Sequence, residues 1–125
     1  MKKLPVLLCI FLLSACAPSE VPSDKLVDRN GIKYEINSQT PFTGVSTAYH
    51  ENGQLKYKVT YKNGELNGLR EWYYENSQLR WKTNTKDGMR SGLSEYYYIN
   101  GQEEDFSPLC YKNDKKVDIS ICKSL

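Results

Sequence analysis

The chain repeats itself every 24 residues, and this period constrains its fold more than any other feature of the sequence. Each unit has a glycine, an aromatic residue five positions later and a turn sequence eight positions later. A fixed period of this length is typical of proteins that stack one small structural unit on the next. The repeated positions are Gly44, Gly68 and Gly92, then Tyr49, Tyr73 and Tyr97, then Asn52-Gly53, Asn76-Ser77 and Asn100-Gly101.

Each unit contains two turn signals, which divide it into short strands. The signals fall at residues 52–53, 63–64, 76–77, 87–88 and 100–101, and their spacing alternates between 11 and 13 residues. Asn-Gly and Asp-Gly favour a type I′ turn, because both central residues of that turn need positive φ. We therefore predict an all-β fold, an antiparallel meander of β-hairpin repeats that forms a single small domain.

The register of the hairpins is predicted by folding the chain about two of these turns. Directly opposed residues share a face of the sheet, so the register decides which side chains lie together. A slip of one residue would move both tryptophans to the other face. The predicted pairs are Trp72 with Trp81, Tyr74 with Leu79, Glu71 with Lys82, Tyr73 with Arg80, Leu55 with Trp72 and Tyr57 with Arg70.

Aromatic residues carry most of the hydrophobic character beyond residue 15. All ten tyrosines and both tryptophans lie there, while aliphatic residues are sparse. We therefore expect a core built largely from aromatic rings on strands. Gly68 and Gly92 fall on the inward face, where each glycine either leaves a slot for a neighbouring ring or marks a β-bulge.

The amino-terminal residues have the pattern of a bacterial export signal. Lys2 and Lys3 precede an apolar run, and the sequence Leu-Ser-Ala-Cys ends at Cys16. This segment is too short to span a bilayer as a mature helix, so we predict a lipoprotein signal peptide over residues 1–15. Residues 16–25 contain prolines and small polar residues without periodicity, which predicts a flexible tether.

The sequence before Cys16 resembles the lipobox of bacterial lipoproteins in general. The resemblance implies a diacylglycerol on the Cys16 thiol and an acyl chain such as palmitate on its new amino terminus. Two lipid attachments give stable membrane anchoring, where one chain gives only marginal binding. Ala17 stands where an aspartate would favour the inner membrane, so we expect an outer-membrane location facing the periplasm.

Net charge gives no support for a nucleic-acid partner. The formal charge of the chain is +2, but Lys2 and Lys3 belong to the predicted signal, which leaves 15 basic and 15 acidic side chains. A domain without net charge lacks the positive field that attracts nucleic acid.

Two cysteines remain after Cys9 leaves with the signal and Cys16 takes lipid. In an oxidising compartment we predict a disulfide between Cys110 and Cys122. It closes a loop of about 13 residues and contributes roughly 3 kcal/mol to stability. We predict no metal site, since these thiols lack a second pair of ligands and His50 is the only histidine.

The sequence contains no pattern of residues that indicates catalysis. A nucleophile needs a base beside it, and we expect a structural role for His50, the only imidazole. The glycines are turn residues rather than a phosphate-binding loop, and the acidic run at 103–105 lacks calcium-loop spacing. We therefore predict a non-enzymatic protein with no cofactor and no small-molecule substrate.

The outward strand positions form a candidate binding surface. A ladder of tyrosines flanked by charges suits a protein interface. The same alternating charges would also keep a flat sheet soluble and block edge pairing, so both interpretations stay open. The candidate residues are Tyr49, Tyr73, Tyr97, Lys56, Lys58, Arg80 and Lys82.

The repeat resembles the variant MORN repeat, which occurs in exported bacterial proteins and in the group called YwqK-type antitoxins. Ser77 departs from the pattern, because a turn glycine is expected there. The resemblance covers residues 26–122 and implies MORN-like hairpins with terminal caps at 26–42 and 109–122. It is carried by residues 44–62, 68–86 and 92–102, by the Pro-Phe-Thr-Gly sequence ending at Gly44, and by the segment containing Cys110 and Cys122.

The resemblance implies a protein-binding module with an antitoxin or immunity role. Combined with the lipobox, it predicts a lipid-anchored module of the cell envelope whose protein partner is a toxin or an envelope protein. The alternative is a structural envelope lipoprotein that binds lipid headgroups or another envelope component. A neutral domain is poorly suited to anionic lipid as its main ligand.

Overall fold

The computed structural model describes residues 17–124, which form β-strands, one 3-10 turn and one short helix. The predicted signal peptide over residues 1–15 and the predicted lipidation residue Cys16 lie outside the described residues. Within residues 17–124, no helix has the length and apolar character needed to cross a membrane.

Most strands join one long sheet. Eight of them pair in the order β1-β4-β5-β6-β7-β8-β9-β10, and β2 and β3 form a separate hairpin. From β4 to β10 each strand is antiparallel to the next in the chain, which confirms the predicted meander. The strands are β1 Glu20–Pro22, β2 Leu26–Arg29, β3 Ile32–Glu35, β4 Gly44–Tyr49, β5 Leu55–Lys62, β6 Glu65–Tyr73, β7 Leu79–Lys86, β8 Met89–Tyr96, β9 Leu109–Lys112 and β10 Lys115–Val117; Ser23–Lys25 form the 3-10 turn and Ile119–Lys123 form helix α1.

The turns between β5 and β6 and between β7 and β8 are the predicted type I′ turns. Asn63 and Gly64 have φ of 50° and 78°, and Asp87 and Gly88 have φ of 51° and 81°. Positive φ at both central residues is the requirement of this turn, and it matches the twist of the flanking strands.

The other three turns are longer than predicted. In the first of them, the His50 amide donates to the Gln54 carbonyl at 2.8 Å, which leaves a three-residue loop. Only the last loop residue has positive φ, because the Asn52 side chain accepts from the Gln54 amide and holds the asparagine in a type I turn. Turns lie at the predicted positions 52–53, 76–77 and 100–101, but the predicted two-residue loops, and the type I′ geometry expected of the two Asn-Gly sequences, are wrong. The loop residues with positive φ are Gly53, Ser77 and Gly101.

The extra loop residue changes the pairing near each turn. Trp72 pairs with Trp81, and the neighbouring Glu71 with Lys82, as predicted. A bulge then places Tyr73 opposite Leu79, so the predicted Tyr73–Arg80 and Tyr74–Leu79 pairs are wrong. The bulge arises because the three-residue loop leaves one strand a residue longer than its partner.

A second kind of bulge lies at Gly68. Thr60 faces the three residues 67–69, so the register between β5 and β6 shifts by two residues. Tyr57 therefore pairs with Trp72, and Val59 with Arg70, and the predicted Leu55–Trp72 and Tyr57–Arg70 pairs are wrong. A shift of two residues keeps every side chain on its own face of the sheet.

Gly68 and Gly92 occupy equivalent bulges, which settles the open question about these glycines. Their φ values are 110° and 97°, a region that L side chains rarely adopt. A Cβ on Gly68 would lie 3.2 Å from Cγ2 of Thr60, so a threonine methyl group lies against this glycine. The β-bulge interpretation is confirmed.

The amino-terminal segment covers one end of the sheet. β1 pairs in parallel with β4, so the predicted flexible tether at 16–25 is too long; pairing with the edge of β4 holds residues 20–22 in place. The β2–β3 hairpin docks on the turn that follows β5, where the Lys33 amide donates to the Gly64 carbonyl at 2.9 Å. Phe42, only 3% exposed, links the two segments through its backbone: its amide donates to the Lys33 carbonyl at 2.8 Å, and its carbonyl accepts from the Gly64 amide at 2.7 Å.

The carboxy-terminal segment is fixed by the predicted disulfide. Cys110 on β9 bonds to Cys122 on α1, with their Cα atoms 5.9 Å apart. Asp118 caps α1 by accepting from the Ser120 amide at 2.9 Å.

The hydrophobic core is small and differs from the predicted aromatic core. Among the described residues, the buried apolar side chains are Phe42, Val45, Val59 and Cys110. Trp72 and Trp81 are only partly buried, because the only other sheet within residues 17–124 is the two-stranded β2–β3 hairpin at one end.

Ser77 offers a test of the loop geometry. We expect Ser77→Gly to raise the free energy of unfolding by about 1 kcal/mol, because serine at φ 70° carries a strain that glycine lacks. The lost hydrogen bond to the Gln54 side chain is exposed and offsets little of this gain. Urea unfolding of both proteins measures the difference. Ser77→Ala, which keeps the strain, is the control, and an equal gain in that variant would contradict this account.

Candidate functional site

Aromatic side chains from four neighbouring strands form a row on one face of the sheet. Tyr57 pairs with Trp72, Trp72 with Trp81, and Trp81 with Tyr96. The Tyr57 and Trp72 rings stack with centroids 4.6 Å apart, and the two indoles stack at the same distance with planes 13° apart. Such pairs contribute about 0.5–1.5 kcal/mol each beyond the area they bury. We call this side of the sheet, which also bears Arg70, the aromatic face.

Arg70 lies in the next row of the same face. Its strand neighbours are Val59 and Thr83, and Thr83 shares a buried hydrogen bond with Ser94. These small side chains leave room for the long arginine. Its Cζ atom lies 5.6 Å from the centre of the Trp72 ring and 5.5 Å from that of Trp81. Partial burial lowers the pKa of the Arg70 guanidinium below its ordinary value, although an arginine stays charged at neutral pH.

Two cavities open on the aromatic face, and Arg70 lines both. The larger, of about 470 Å³, lies between the sheet and the amino-terminal segment and includes Leu26, Tyr57 and Trp72 in its walls. The smaller, of about 310 Å³, includes Trp81 and Arg90. Binding sites for small groups typically combine such apolar walls with a few polar side chains.

The opposite face, which we call the charged face, carries a row of alternating charges. Lys58 pairs with Glu71, Glu71 with Lys82, and Lys82 with Glu95. The Lys82 ammonium and the Glu95 carboxylate are 2.7 Å apart. Because each charge has an opposite charge beside it, the row neutralises itself, which suits solubility.

The tyrosines and basic residues of the predicted binding surface occupy several different environments. Tyr49 is 58% exposed, whereas Tyr73 is partly buried on the charged face and donates to Glu71 at 2.5 Å. Lys56 and Arg80 lie at the bulges beside the turns, outside the regular cross-strand rows. The seven residues of the predicted binding surface therefore do not form one continuous surface in the structure.

His50 has a structural contact, in line with the role expected for it. Its Nε2 lies 2.9 Å from the Tyr73 carbonyl, one repeat away. Tyr74 makes the equivalent contact in the next unit, where its hydroxyl donates to the Tyr97 carbonyl at 2.8 Å. These contacts tie each turn to the following one. Within residues 17–124, no three His, Cys, Asp or Glu side chains are grouped to hold a metal ion.

Arg70 is the residue of this face that sequence reasoning missed. A signal was present, because the positions one repeat before and after it are Ser46 and Ser94. An arginine in a column of small, inward-facing side chains breaks the pattern of the repeat and marks a position with a separate role.

Tyr73 gives a prediction about pH. Burial, and then its hydrogen bond to Glu71, raise the pKa of Tyr73 from 10.0 to about 12. Between these values the folded state binds more protons than the unfolded state, so stability falls as pH rises through this window. We expect Tyr73→Phe to make this loss less steep and to remove one phenol step with a midpoint near pH 12 from an ultraviolet titration. Tyr49→Phe is the control, and identical alkaline unfolding of wild type and Tyr73→Phe would contradict the assignment.

Comparison with known proteins identifies the repeat in the centre of this sheet. Searches of curated proteins and of solved structures found no match to the chain. Two segments, residues 42–63 and 66–87, match the family described as MORN repeat variant. They start 24 residues apart and cover strands β4 to β7, where the first two sequence repeats lie, except for Glu65. The chain thus contains two variant MORN repeats, which indicate a membrane- or protein-binding module.

Proposed function

We propose that the protein is a lipid-anchored, non-enzymatic module of the bacterial envelope that binds a protein partner through its aromatic face. The repeat match supports a binding role. The lipobox that ends at Cys16 supports an anchored position outside the cytoplasm.

One observation carries the choice of surface: the stacked tryptophans remain partly exposed. Partly exposed tryptophan, tyrosine and arginine are the residues that contribute most to protein interfaces. The charged face has less to offer a partner, because Lys58 and Lys82 already have carboxylates beside them. The proposal therefore differs from the sequence prediction in the surface that it assigns.

The partner is a toxin that acts in the periplasm or on the envelope. The resemblance to YwqK-type antitoxins supports sequestration of one protein by another, and a cytoplasmic antitoxin would have no use for a lipid anchor. An immunity lipoprotein that neutralises a delivered effector combines both features.

The anchor is tested by changing the acylated residue. We expect Cys16→Ser to abolish incorporation of labelled palmitate and to move the protein out of the membrane fraction, because its acyl chains hold it there. Cys9→Ser, within the signal segment, is the matched control and keeps both properties. Palmitate labelling that persists in Cys16→Ser would overturn the assignment.

The binding face is tested by co-expression with toxins encoded by neighbouring genes, followed by measurement of affinity for any toxin that is neutralised. We expect Tyr57→Ala with Tyr96→Ala to weaken that affinity by roughly 30-fold or more, the loss typical of central aromatic contacts. This variant keeps Trp72 and Trp81, so the circular dichroism signal of the stacked indoles shows whether its sheet is still folded.

The matched control changes the other surface. We expect the affinity for the toxin to stay within a few fold of wild type in a variant that carries glutamate at four basic positions, Lys56, Lys58, Arg80 and Lys82. If these changes abolish binding and the aromatic changes do not, the face is wrongly assigned. If every neighbouring toxin stays fully active, the antitoxin role fails. Binding of the unlipidated domain to vesicles of phosphatidylethanolamine and phosphatidylglycerol would then favour the structural, headgroup-binding alternative.

A further inference from the structure

Arg70 differs from the other cations around the two cavities in having no carboxylate partner. Lys33 forms an ion pair with Asp28 at 3.3 Å, and Arg90 forms one with Asp114 at 3.1 Å. Among the ion pairs of residues 17–124, none includes Arg70. Its Nε atom is also buried without a hydrogen-bond partner. A buried donor of this kind is costly unless something accepts from it, so the site is incomplete in the isolated chain.

The two indoles cannot supply the missing acceptor. Their π faces attract the positive charge of the guanidinium, but they offer no lone pairs to its N–H groups. Arg70 therefore combines a charge that lies at nearly equal distances from the two stacked rings with unused donor capacity beside two cavities. The arrangement suits a ligand that is anionic at one point and apolar beside it.

The surrounding charges select the kind of anion. The planar fork of a guanidinium matches both carboxylate and phosphate. Asp28, Lys33 and Glu65 line the same larger cavity, and Lys33 pairs with Asp28. Glu65 remains to repel an anion, and it repels a doubly charged phosphate more than a singly charged carboxylate. At about 470 Å³ the cavity has room for one side chain and its neighbours.

We propose that Arg70 is a carboxylate-binding subsite of the aromatic face, which receives an aspartate or glutamate of the partner protein while an apolar neighbour of that residue packs on Trp72 and Trp81. The inference rests on the proposed function, since it takes the aromatic face as the contact surface. It adds the chemistry of the partner, an acidic residue within an otherwise apolar segment.

The test uses the full chain in detergent micelles and two capped peptides, acetyl-Leu-Asp-Leu-amide and acetyl-Leu-Asn-Leu-amide. We expect the aspartate peptide to shift the Nε–H signal of Arg70 and the indole N–H signals in nitrogen–proton NMR spectra, in a saturable way. The asparagine peptide should bind roughly tenfold more weakly, because it lacks the charge-assisted hydrogen bonds.

Three variants separate this subsite from general charge. Arg70→Met should reduce the affinity for the aspartate peptide to that for the asparagine peptide, and Arg70→Lys should be intermediate, since lysine keeps the charge but not the fork. Arg80→Met, which removes an exposed arginine that lies 5.5 Å from the Tyr74 ring, should change nothing. Circular dichroism of the stacked indoles confirms that each variant is folded.

Equal binding of both peptides would overturn the proposal, as would inorganic phosphate at equal ionic strength producing the same shifts as the aspartate peptide. The peptides do not require the natural partner, so the two proposals fail separately. If the Tyr57 and Tyr96 variant loses toxin binding but the wild-type protein does not bind the aspartate peptide, only the proposed subsite at Arg70 is disproved. If the aspartate peptide binds at Arg70 but no toxin is neutralised, only the antitoxin role is disproved.

Discussion

The glycine bulges at Gly68 and Gly92 are the constraint on which the rest of the structure depends. At Gly68 one residue of β5 faces three of β6, and the register moves by two positions. Without that shift Tyr57 would face Arg70, and Trp72 would face Leu55. With it, Tyr57, Trp72 and Trp81 come into one row and stack. The same bulge recurs at Gly92, where it aligns Trp81 with Tyr96. Only a residue without a side chain adopts φ near 100° at low cost, so the bulges occur where the sequence has glycine. The spacing of the glycines therefore determines which aromatic residues pair across the strands.

The register that builds the aromatic row also builds the charged row, because neighbouring positions on a strand point to opposite faces. The pair Trp72–Trp81 on one side requires the pair Glu71–Lys82 on the other. The consequences of the two rows differ. On the charged face, opposite charges face one another across the strands, and the Lys82 ammonium forms an ion pair with the Glu95 carboxylate. The aromatic face has rings that remain partly exposed and an arginine with a buried, unpartnered donor, and both become better satisfied when something covers them.

Much of the fold was predictable because its signals are local. Asn63-Gly64 and Asp87-Gly88 specify their turns through residues that accept positive φ, and the alternation around the second unit fixed the Trp72–Trp81 pair. The three-residue loops were not predictable by the same rule, since an asparagine before glycine serves either turn type. The turn type depends on whether the asparagine side chain accepts a hydrogen bond from the backbone amide two residues later, as Asn52 does from Gln54. Arg70 was missed for a different reason. The prediction judged exposed positions by charge, whereas this arginine lies on the inward face, where the repeat otherwise has serine.

The position of the caps limits what can cover the aromatic face. The amino-terminal segment reaches over the Tyr57 end, where Ser23 and Leu26 line the larger cavity beside Trp72. At the other end Phe106 lies 5.2 Å from the Tyr96 ring and is itself 54% exposed. The uncovered stretch therefore crosses only the few strands between these two ends, with Arg70 near its centre. Neighbouring strands are about 4.8 Å apart, so this stretch is too narrow for a second sheet of similar size. It suits one inserted segment, such as a loop or a single strand, which is why a short acidic element of a partner is the occupant that the dimensions favour.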